Sequence, residues 1–367
     1  MVEENDLIDV YTSVEVIETS GTVGDRKTRI RKLGEGGEKD TEDVVLHHGA
    51  VIIATGAEEA PMNQYGYGTS ENILTQTELE RRIASGALPA WKQGSGKQVV
   101  MIQCVGSREA SPREGRPYCS RVCCNHALKN IKALRSKDPE VSITVLYRDM
   151  RCYGFYEDQY REAREGGVLF VPYDTENRPE VTVTDGKVTV GFFEPMIQAV
   201  IQQDVDLLVL STGMVPRPAA DIAELFGVEQ DDNGFLKELN PKTGLVNTVH
   251  QDVFICGTAH APKHFEEAIV NAQAAAAKAG LFLSKSRLVP PEKRAFVVER
   301  FCSGCAICVK SCPFEARVLD PKTGIAEVCD HICVGCGTCV MACPNGASQM
   351  YGFEKSQILE YVDNLCH

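Results

Sequence analysis

The sequence predicts an α/β protein with parallel sheets, followed by a small α+β domain that is rich in cysteine. Between residues 44 and 285, strand-like and helix-like segments alternate with long connections, which is typical of parallel sheets covered by helices. Two copies of one four-cysteine pattern then follow within residues 301–344. The 367 residues are enough for two to three domains, each with a core of its own.

The first 56 residues predict short strands. Residues 7–33 roughly alternate apolar and polar side chains, a pattern typical of antiparallel strands. Residues 34–43 are charged and contain several glycines, which predicts a turn. Residues 44–55 resume as strand, and the apolar run within residues 49–56 predicts a fully buried strand of the parallel type.

The middle of the chain predicts β–α–β units. The predicted helices are 75–86, 121–134, 157–165 and 265–283, and the predicted strands are 99–103, 141–147, 168–171, 205–210 and 253–256. Thr75 is the expected N-cap of the first helix, and Glu78 completes a capping box. Residues 180–193 predict a hairpin with a type I′ turn at Asp185 and Gly186, and residues 354–365 predict a closing amphipathic helix.

The repeated cysteine pattern is C-x2-C-x2-C-x3-C-P, the spacing with which bacterial ferredoxins hold two 4Fe–4S clusters. In such proteins the fourth cysteine of each run binds the other cluster. The predicted ligands are Cys302, Cys305, Cys308 and Cys343 for one cluster, and Cys333, Cys336, Cys339 and Cys312 for the other. Paired zinc sites or disulfides are the alternatives, and a full double repeat with a proline after each run disfavours both.

A second group of cysteines follows the predicted strand 99–103, in the pattern C-x14-C-x3-C-C. Its members are Cys104, Cys119, Cys123 and Cys124. Cys104 ends a strand where a Rossmann domain places its phosphate-binding glycines, and the other three begin the next helix, so the four could converge. Buried structural thiols are the alternative. The surrounding arginines would stabilise thiolates, or are ordinary surface residues; they are Arg108, Arg113, Arg116 and Arg121.

Composition excludes some classes of function. The net charge of −13 argues against nucleic acid as a partner, and no apolar run is long enough to span a membrane. Sixteen cysteines in a chain without a signal peptide predict metal ligation in a reducing cytoplasm. No Ser–His–Asp or paired-carboxylate constellation stands out, so hydrolysis is not expected.

Three short segments resemble the thioredoxin reductase-like flavoproteins, which contain two dinucleotide-binding domains. These segments are residues 54–56, 211–217 and 253–258. The resemblance implies an FAD site lined by Thr55, Gly56, Thr212, Gly213, Gly257 and Thr258. Thr258 stands where that group usually has Asp. Lys263, after Pro262, lies at the predicted mouth of the flavin-facing helix, where it would tune the flavin or, alternatively, be solvated.

A wider set of motifs resembles the A-type subunits of heterodisulfide reductase, a family of FAD and iron–sulfur proteins from anaerobes. The matching segments are residues 104–108, 118–124 and 257–263 together with the two ferredoxin runs, so that the resemblance covers nearly the whole chain. It implies a third 4Fe–4S cluster at Cys104, Cys119, Cys123 and Cys124. It also implies electron transfer within a multi-subunit complex, often with flavin-based bifurcation.

The sequence departs from that family at its N-terminus, because residues 1–60 contain no G-x-G-x-x-G fingerprint for FAD. The expected fold is therefore an incomplete pair of thioredoxin reductase-like FAD/NAD-type Rossmann domains plus a two-cluster ferredoxin domain. Residues 1–95 and 200–289 are expected to form the partial FAD domain, residues 96–199 the inserted NAD-type domain, and residues 290–367 the ferredoxin domain. The chain is therefore expected to be the C-terminal part of such a subunit, either a separately encoded half or a shortened relative.

The leading hypothesis is a cytoplasmic electron-transfer subunit that relays electrons between FAD and three 4Fe–4S clusters. FAD is expected to be shared with a second subunit that carries the fingerprint. Further expected partners are heterodisulfide reductase-like subunits or electron-transfer subunits of the hydrogenase or formate dehydrogenase type. The alternatives are an iron–sulfur adaptor without its own flavin site, or a subunit of a related quinone-interacting or acyl-CoA reductase complex. The missing glycines oppose a stand-alone NAD(P)H oxidoreductase.

Overall fold

The computed structural model describes residues 2–34, 39–88, 96–110, 115–287, 292–330 and 332–365, with the backbone alone for residues 39–42. The strands are β1 (Val14–Thr22), β2 (Asp25–Leu33), β3 (Lys39–His48), β4 (Val51–Ile53), β5 (Ala57–Glu59), β6 (Ile73–Thr75), β7 (Gln98–Val105), β8 (Ser142–Tyr147), β9 (Leu169–Pro172), β10 (Glu180–Thr184), β11 (Lys187–Glu194), β12 (Ala199–Val205), β13 (Leu207–Thr212), β14 (Met214–Pro216), β15 (Val253–Ile255), β16 (Ala295–Val297), β17 (Arg317–Leu319), β18 (Ala326–Val328) and β19 (Ser348–Met350). The α-helices are α1 (Gln76–Ser85), α2 (Cys123–Lys137), α3 (Tyr156–Glu165), α4 (Ala220–Leu225), α5 (Phe265–Leu283), α6 (Ile307–Lys310), α7 (Thr338–Met341) and α8 (Lys355–Leu365).

The central layer is a five-stranded parallel sheet in the order β6-β13-β7-β8-β9. Helices α1, α2 and α3 cover one face, where Leu79, Leu128 and Ile131 pack against Val99 and Met101. The antiparallel sheet β10-β11-β12 covers the other face through its apolar side chains. Sheets buried on both faces read as continuous apolar runs, which explains why these strands were predictable from sequence.

The placement of β13 corrects the predicted organisation. Sequence reasoning assigned residues 205–210 to the outer domain, but β13 lies between β6 and β7 of the central sheet. The central sheet therefore also takes strands from outside residues 96–199. A short apolar strand fits either parallel sheet equally well by composition, and only its hydrogen-bonded neighbours distinguish them.

The outer layer contains the parallel pair β4 and β15. The strand β5, which follows β4 in the chain, forms a second, antiparallel pair with β14. The prediction of a fully buried strand over residues 49–56 is wrong, because β4 has only three residues and Ile52 is 41% exposed. Within the described ranges, no strand pairs with the free edge of β4. The antiparallel sheet β1-β2-β3 packs nearby and confirms the predicted antiparallel strands.

The local signals were accurate in some places and incomplete in others. The capping box of α1 at Thr75 and Glu78 is present, as predicted. Asp185 and Gly186 both have positive φ, as a type I′ turn requires, whereas the following strand β12 was missed. The predicted turn at 34–43 is too long, since β3 pairs with β2 there, and residues 35–38 lie outside the described part.

The C-terminal segment is a small two-fold repeat. Strands β16 and β19 pair across it, β17 and β18 form a second pair, and each cysteine run continues into one short helix, α6 or α7. The closing helix α8 follows with its side chains largely exposed. No helix in the described ranges is long and apolar enough to cross a membrane.

One buried ion pair ties the antiparallel sheet to the outer layer. The guanidinium of Arg26 donates to both carboxylate oxygens of Asp252, at 2.6 and 3.0 Å, and the backbone N–H of Gly24 donates at 3.1 Å. Asp252 is fully buried and directly precedes β15. Because a buried carboxylate that loses its partner is strongly destabilising, this pair fixes how β2 meets β15.

Replacing Arg26 tests that joint. We expect Arg26→Leu to lower the free energy of unfolding by about 3 kcal/mol, because it strands the buried Asp252 carboxylate. Arg29→Leu is the matched control on the same strand, where the exposed pair with Glu18 contributes less than about 1 kcal/mol. Denaturant unfolding of both variants gives the comparison, and equal losses would contradict a structural role for the Arg26–Asp252 pair.

Candidate functional site

The cysteine loops of the C-terminal repeat turn tightly before each short helix. Ala306 (φ 58°) and Gly337 (φ 80°) occupy equivalent left-handed positions just before α6 and α7. Gly335 cannot carry a side chain, because an added Cβ would lie 2.0 Å from the carbonyl oxygen of Lys293. These turns direct successive cysteines toward a common centre.

The structure brings the predicted first set of ligands together around one cavity. Its lining includes Cys302, Cys305 and Cys308 from the first run and Cys343 from the second. The crossing cysteine therefore lies where the ferredoxin pattern predicts it.

The predicted ligands of the second cluster also lie close to one another. Burial raises the pKa of Cys339, the positive charge of Arg317 opposes that shift, and the neighbouring thiols Cys333, Cys312 and Cys336 add to it. Cys312 comes from the first run, so this group also crosses between the runs. The proximity of these thiols agrees with the predicted grouping, and their role as cluster ligands stays a prediction.

Backbone N–H groups point at sulfur atoms in a pattern that follows the repeat. Four amides donate to Sγ atoms, namely Ala326 to Cys302 (3.5 Å), Ala295 to Cys333 (3.5 Å), Ser348 to Cys343 (3.5 Å) and Ala316 to Cys312 (3.3 Å). Although burial raises it, such backbone donors bring the pKa of Cys343 below its ordinary value. Donors of this kind stabilise thiolates and help to set cluster potentials.

The chemistry of these residues, four thiols in each set with backbone donors to sulfur, fits 4Fe–4S clusters. In the described part of the chain, no group of three His, Cys, Asp or Glu side chains converges closely enough to hold one metal ion. A cubane cluster does not require such close convergence of its ligands, because its four thiolates bind four different irons. Clusters held by these loops would supply one-electron redox chemistry.

The cysteines of the third group are also neighbours. Cys104, the residue before the last of β7, has a left-handed conformation (φ 60°), and Cys123 and Cys124 begin α2, as predicted. A hydrogen bond with Cys124, together with burial, raises the pKa of Cys123 well above its usual range, and Cys104 and Cys119 contribute to the shift. A positive φ is uncommon for a residue other than glycine. It suits Cys104 if the side chain must point in a direction that a regular strand would not give it.

Cys152 is a fifth thiol at this position, and sequence reasoning found no signal for it. It is buried in the same core cluster as Cys123 and Cys124. Hydrogen bonds from Cys123 and Cys152 lower the pKa of Cys124. Cys152 follows β8, far from the cysteine pattern in sequence, so only the packing of β8 against β7 brings it here.

Two of the predicted arginines contact this group. Arg108 Nη1 lies 3.9 Å from Cys104 Sγ, and its Nη2 pairs with Asp149 at 2.6 Å. The backbone N–H of Arg121 donates to Cys119 Sγ at 3.3 Å. Arg113 lies outside the described residues, and nothing in the described contacts assigns Arg116 a similar role.

A buried, unpartnered carboxamide supports a bound group at the third set. Gln103 is fully buried, and neither its Nε2 nor its Oε1 has a hydrogen-bond partner among the described residues. By strand alternation its side chain shares a face with Val99 and Met101, which pack against Cys123 and Cys124. An amide N–H beside a cluster can donate to its sulfur atoms, so the residues fit such a cofactor.

The third cysteine set is joined directly to the predicted flavin loop. Arg121 donates to the carbonyl oxygen of Pro262 at 3.3 Å and to Glu267 at 2.6 Å. Asn125 Nδ2 lies 3.1 Å from His264 Nδ1, and His264 caps the N-terminus of α5. The turn that carries the cysteines is thereby fixed against the start of the helix predicted to face the flavin.

The predicted flavin residues fall into two neighbouring groups. A Cβ on Gly56 would lie 3.7 Å from Thr258 Oγ1, so Thr55 and Gly56 meet Gly257 and Thr258 at the carboxyl ends of β4 and β15. Thr212 donates to Glu59 at 2.8 Å. A Cβ on Gly213 would contact Ser107 and Ser120, which places it beside the cysteine turn instead.

Lys263 ends a row of polar side chains. Its Nζ lies 2.7 Å from His260 Nδ1, and His260 Nε2 lies 2.9 Å from Glu238. Burial, together with the positive charge of Arg121, lowers the pKa of Lys263 to about 8. A lysine that exchanges a proton near neutral pH can donate to or accept from an adjacent group.

An open groove adjoins the free edge of β4. It has a volume of about 630 Å³ and is lined by β4, by parts of β2 and β3, and by Ile222 and Phe226. The walls are largely apolar, and the edge of β4 presents free backbone groups. An unpaired strand edge of this kind is an association surface.

Residues 301–350 match the family model of the 4Fe–4S dicluster domain. The chain is 37% identical over 349 residues to an iron–sulfur subunit of the CoB–CoM heterodisulfide reductase of Methanocaldococcus jannaschii, covering 89% of this chain and 52% of the relative. It is 37% identical over 356 residues to the corresponding subunit of the ferredoxin:CoB–CoM heterodisulfide reductase of Methanosarcina acetivorans, covering 86% and 43%. Both relatives are the A-type subunits of their reductases, and the chain spans about half their length.

Among solved structures, thioredoxin reductase of T. acidophilum is similar with a TM-score of 0.43 and 16% identity, covering 74% of this chain and 72% of that chain. A score of this size supports no conclusion about the site.

Serine substitutions in the full chain test the crossing of the two ferredoxin runs. We expect Cys343→Ser to alter the same cluster as Cys308→Ser, and Cys312→Ser to alter the cluster affected by Cys339→Ser, because each crossing thiol lies with the other run. Electron paramagnetic resonance of the reduced chain distinguishes the two spectra. Cys329→Ser, outside both sets, should leave them unchanged, and identical spectra for Cys343→Ser and Cys339→Ser would contradict the crossing.

Proposed function

From the premise that most of this chain is related to the A-type subunits of heterodisulfide reductase, we propose that it is an electron-transfer component of an oxidoreductase complex. The curated relatives belong to such reductases. The observation that carries the proposal is the junction between the third cysteine set and the flavin loop through Arg121, Pro262 and Glu267. Electrons would pass between a flavin at that loop and the clusters of this chain.

The described residues contribute binding and orientation at each centre. Cys104, Cys119, Cys123 and Cys124 would hold the third cluster, and the eight ferredoxin cysteines would hold the other two. FAD, when bound, exchanges electrons in pairs or singly, whereas each cluster carries one, so a flavin beside a cluster can divide a pair. Names such as the H2/formate:CoB–CoM heterodisulfide,ferredoxin reductase of Methanococcus maripaludis indicate two acceptors for that relative. We extend flavin-based bifurcation to this chain as part of the proposal.

The chain's own residues would prepare the flavin loop for this role. Gly56 and Gly257 adopt positive φ at the carboxyl ends of β4 and β15, which leaves the backbone free of side chains there. The α5 N-terminus adds N–H donors that favour negative charge on a bound ring. Lys263 would supply or accept a proton at the flavin edge, with His260 and Glu238 behind it.

The flavin site requires a further polypeptide segment. FAD normally places its pyrophosphate on a glycine-rich turn at a helix N-terminus, and the described residues offer no such turn. The groove beside β4 has the apolar walls and free strand edge that an additional β–α–β unit would cover. We propose that a second subunit carrying G-x-G-x-x-G packs there and shares FAD with this chain.

The remaining partners follow from the relatives. As a homologue of these reductase components, the chain would assemble with other heterodisulfide reductase-like subunits, or with electron-transfer subunits of hydrogenase or formate dehydrogenase type, in the cytoplasm. The rival function is an iron–sulfur adaptor. One observation favours it: the described residues contain no pyrophosphate cradle. The two functions differ in whether the assembled complex binds FAD at the loop of Gly56 and Gly257.

FAD titration tests the shared site. We expect the anaerobically reconstituted chain alone to bind FAD weakly, and the chain with its fingerprint-bearing partner to bind one FAD tightly. Ile52→Glu, on the exposed edge strand, should abolish partner-assisted binding, because it puts a charge into the apolar groove. Val45→Glu, exposed on β3 outside that groove, is the control. Tight stoichiometric binding by the isolated chain would refute a shared site, and no binding by the complex would favour the adaptor.

A further inference from the structure

The turn at the end of β7, residues 104–109, has a backbone conformation that most residues avoid. Cys104 and Arg108 both have a φ of 60°, in the left-handed region. Such conformations cost free energy in residues other than glycine and persist only where the surrounding groups hold them. Because Cys104 belongs to the third cysteine set, the groups that hold this turn also position a proposed cluster ligand.

The end of β8 holds the turn through two adjacent residues. β8 pairs with β7 in parallel, so Arg148 and Asp149, which follow β8, lie at the same edge of the sheet as the turn. Arg148 Nη1 donates to the carbonyl oxygen of Arg108 at 2.9 Å, and Arg108 Nη2 donates to Asp149 at 2.6 Å. One residue thus fixes the backbone of Arg108, and the next fixes its guanidinium.

The fixed guanidinium lies against sulfur. Arg108 Nη1 is 3.9 Å from Cys104 Sγ, so the guanidinium contacts Cys104 with one nitrogen and Asp149 with the other. The carbonyl oxygen of Asp149 is also 3.9 Å from Cys124 Sγ, which places the end of β8 beside two thiols of the third set. A charged donor such as Arg108 makes a stronger hydrogen bond to a thiolate than a neutral donor does.

A buried carboxylate holds Arg148 in place. Glu109 is 3% exposed, and its two carboxylate oxygens accept from Arg148 Nη2 at 2.5 Å and from Arg178 Nη2 at 2.8 Å. The side chain of Arg148 is buried, whereas that of Arg178 is partly exposed. Because the guanidinium is a rigid planar fork, pairing one nitrogen of Arg148 with Glu109 orients the other toward the turn.

These contacts form a chain that leads from a buried carboxylate to a proposed cluster ligand. We propose that Arg148 and Asp149 position the Arg108 guanidinium beside the third cluster, and that this raises the reduction potential of that cluster. A cluster becomes more negative when it accepts an electron, so an adjacent cation that donates to its sulfur stabilises the reduced state more than the oxidised state. The inference rests on the third cluster of the proposed function. Arg148 is a positioning residue, because it acts through Arg108.

The test is an anaerobic redox titration of the full chain with all its clusters, followed by electron paramagnetic resonance. The signal that is lost in Cys124→Ser belongs to the third cluster. We expect Arg148→Met to lower the ratio of reduced to oxidised third cluster about tenfold at the wild-type midpoint, which is about 59 mV for one electron, because Arg108 is no longer held against sulfur. The midpoints of the two ferredoxin clusters should not change. An unchanged midpoint of the third cluster would overturn the proposal.

A double-mutant cycle separates positioning from the bare charge of Arg148. Arg108→Gln removes the donor itself and should lower the midpoint of the third cluster at least as far as Arg148→Met does. The combined variant should have the midpoint of Arg108→Gln alone, because the change at Arg148 acts only through Arg108. Shifts that simply add would show that Arg148 acts on the cluster directly by its charge, and would overturn the positioning role.

Two further variants separate the potential from damage to the fold. The pair Glu109→Gln with Arg148→Met leaves no stranded carboxylate and should shift the midpoint as Arg148→Met does. Arg178→Gln removes the second partner of Glu109 but keeps the bond from Arg148 to the Arg108 carbonyl, so it should leave the midpoint unchanged. Equal shifts in Arg178→Gln and Arg148→Met would attribute the effect to general destabilisation and overturn the proposal.

Iron analysis of the same samples separates this inference from the function on which it rests. Wild type should contain about twelve irons per chain, from three four-iron clusters. A content of about eight irons would remove the third cluster, and with it both the proposed role of its cysteines and the positioning role. A content of about twelve irons with an unchanged midpoint in Arg148→Met would overturn the positioning role alone.

Discussion

Thiolates that bind one cluster must converge from separate parts of the chain, and most of the structure around the sites follows from that requirement. In the ferredoxin segment the convergence is built locally, by left-handed turns before α6 and α7 and by one crossing cysteine from each run. In the central domain it is built by tertiary packing, because β7 supplies Cys104 and the start of α2 supplies Cys123 and Cys124. Burial of these thiols is costly for their charged forms, so backbone and arginine donors accompany them.

The second organising feature is the contact between the cysteine turn and the N-terminus of α5. Arg121, Asn125 and Tyr153 bind Glu267 or His264 across this contact. The same turn holds Cys119 through the backbone of Arg121. A cluster and a flavin bound at these two places would therefore keep a fixed separation, which direct electron transfer requires. The polar row from Glu238 to Lys263 approaches from the other side and can handle protons independently of the cluster.

The sequence was most informative where function depends on local spacing. The ferredoxin cysteines, including Cys312 and Cys343, were grouped from their intervals alone, and the capping box at Thr75 was read from four residues. Where position depends on packing, pattern reasoning failed. Cys152 joins Cys123 and Cys124 only because β8 and α2 pack beside β7. The β13 strand was assigned to the wrong sheet because apolar strands look alike.

The central claim is that this chain holds a third cluster at the flavin loop in addition to the ferredoxin pair. Anaerobic quantification of iron and acid-labile sulfide in the natively isolated protein tests it most directly. Three four-iron clusters predict about twelve irons and about twelve sulfides per chain. Values near eight of each in undamaged protein would leave only the ferredoxin pair, and would contradict a cluster at Cys104, Cys119, Cys123 and Cys124.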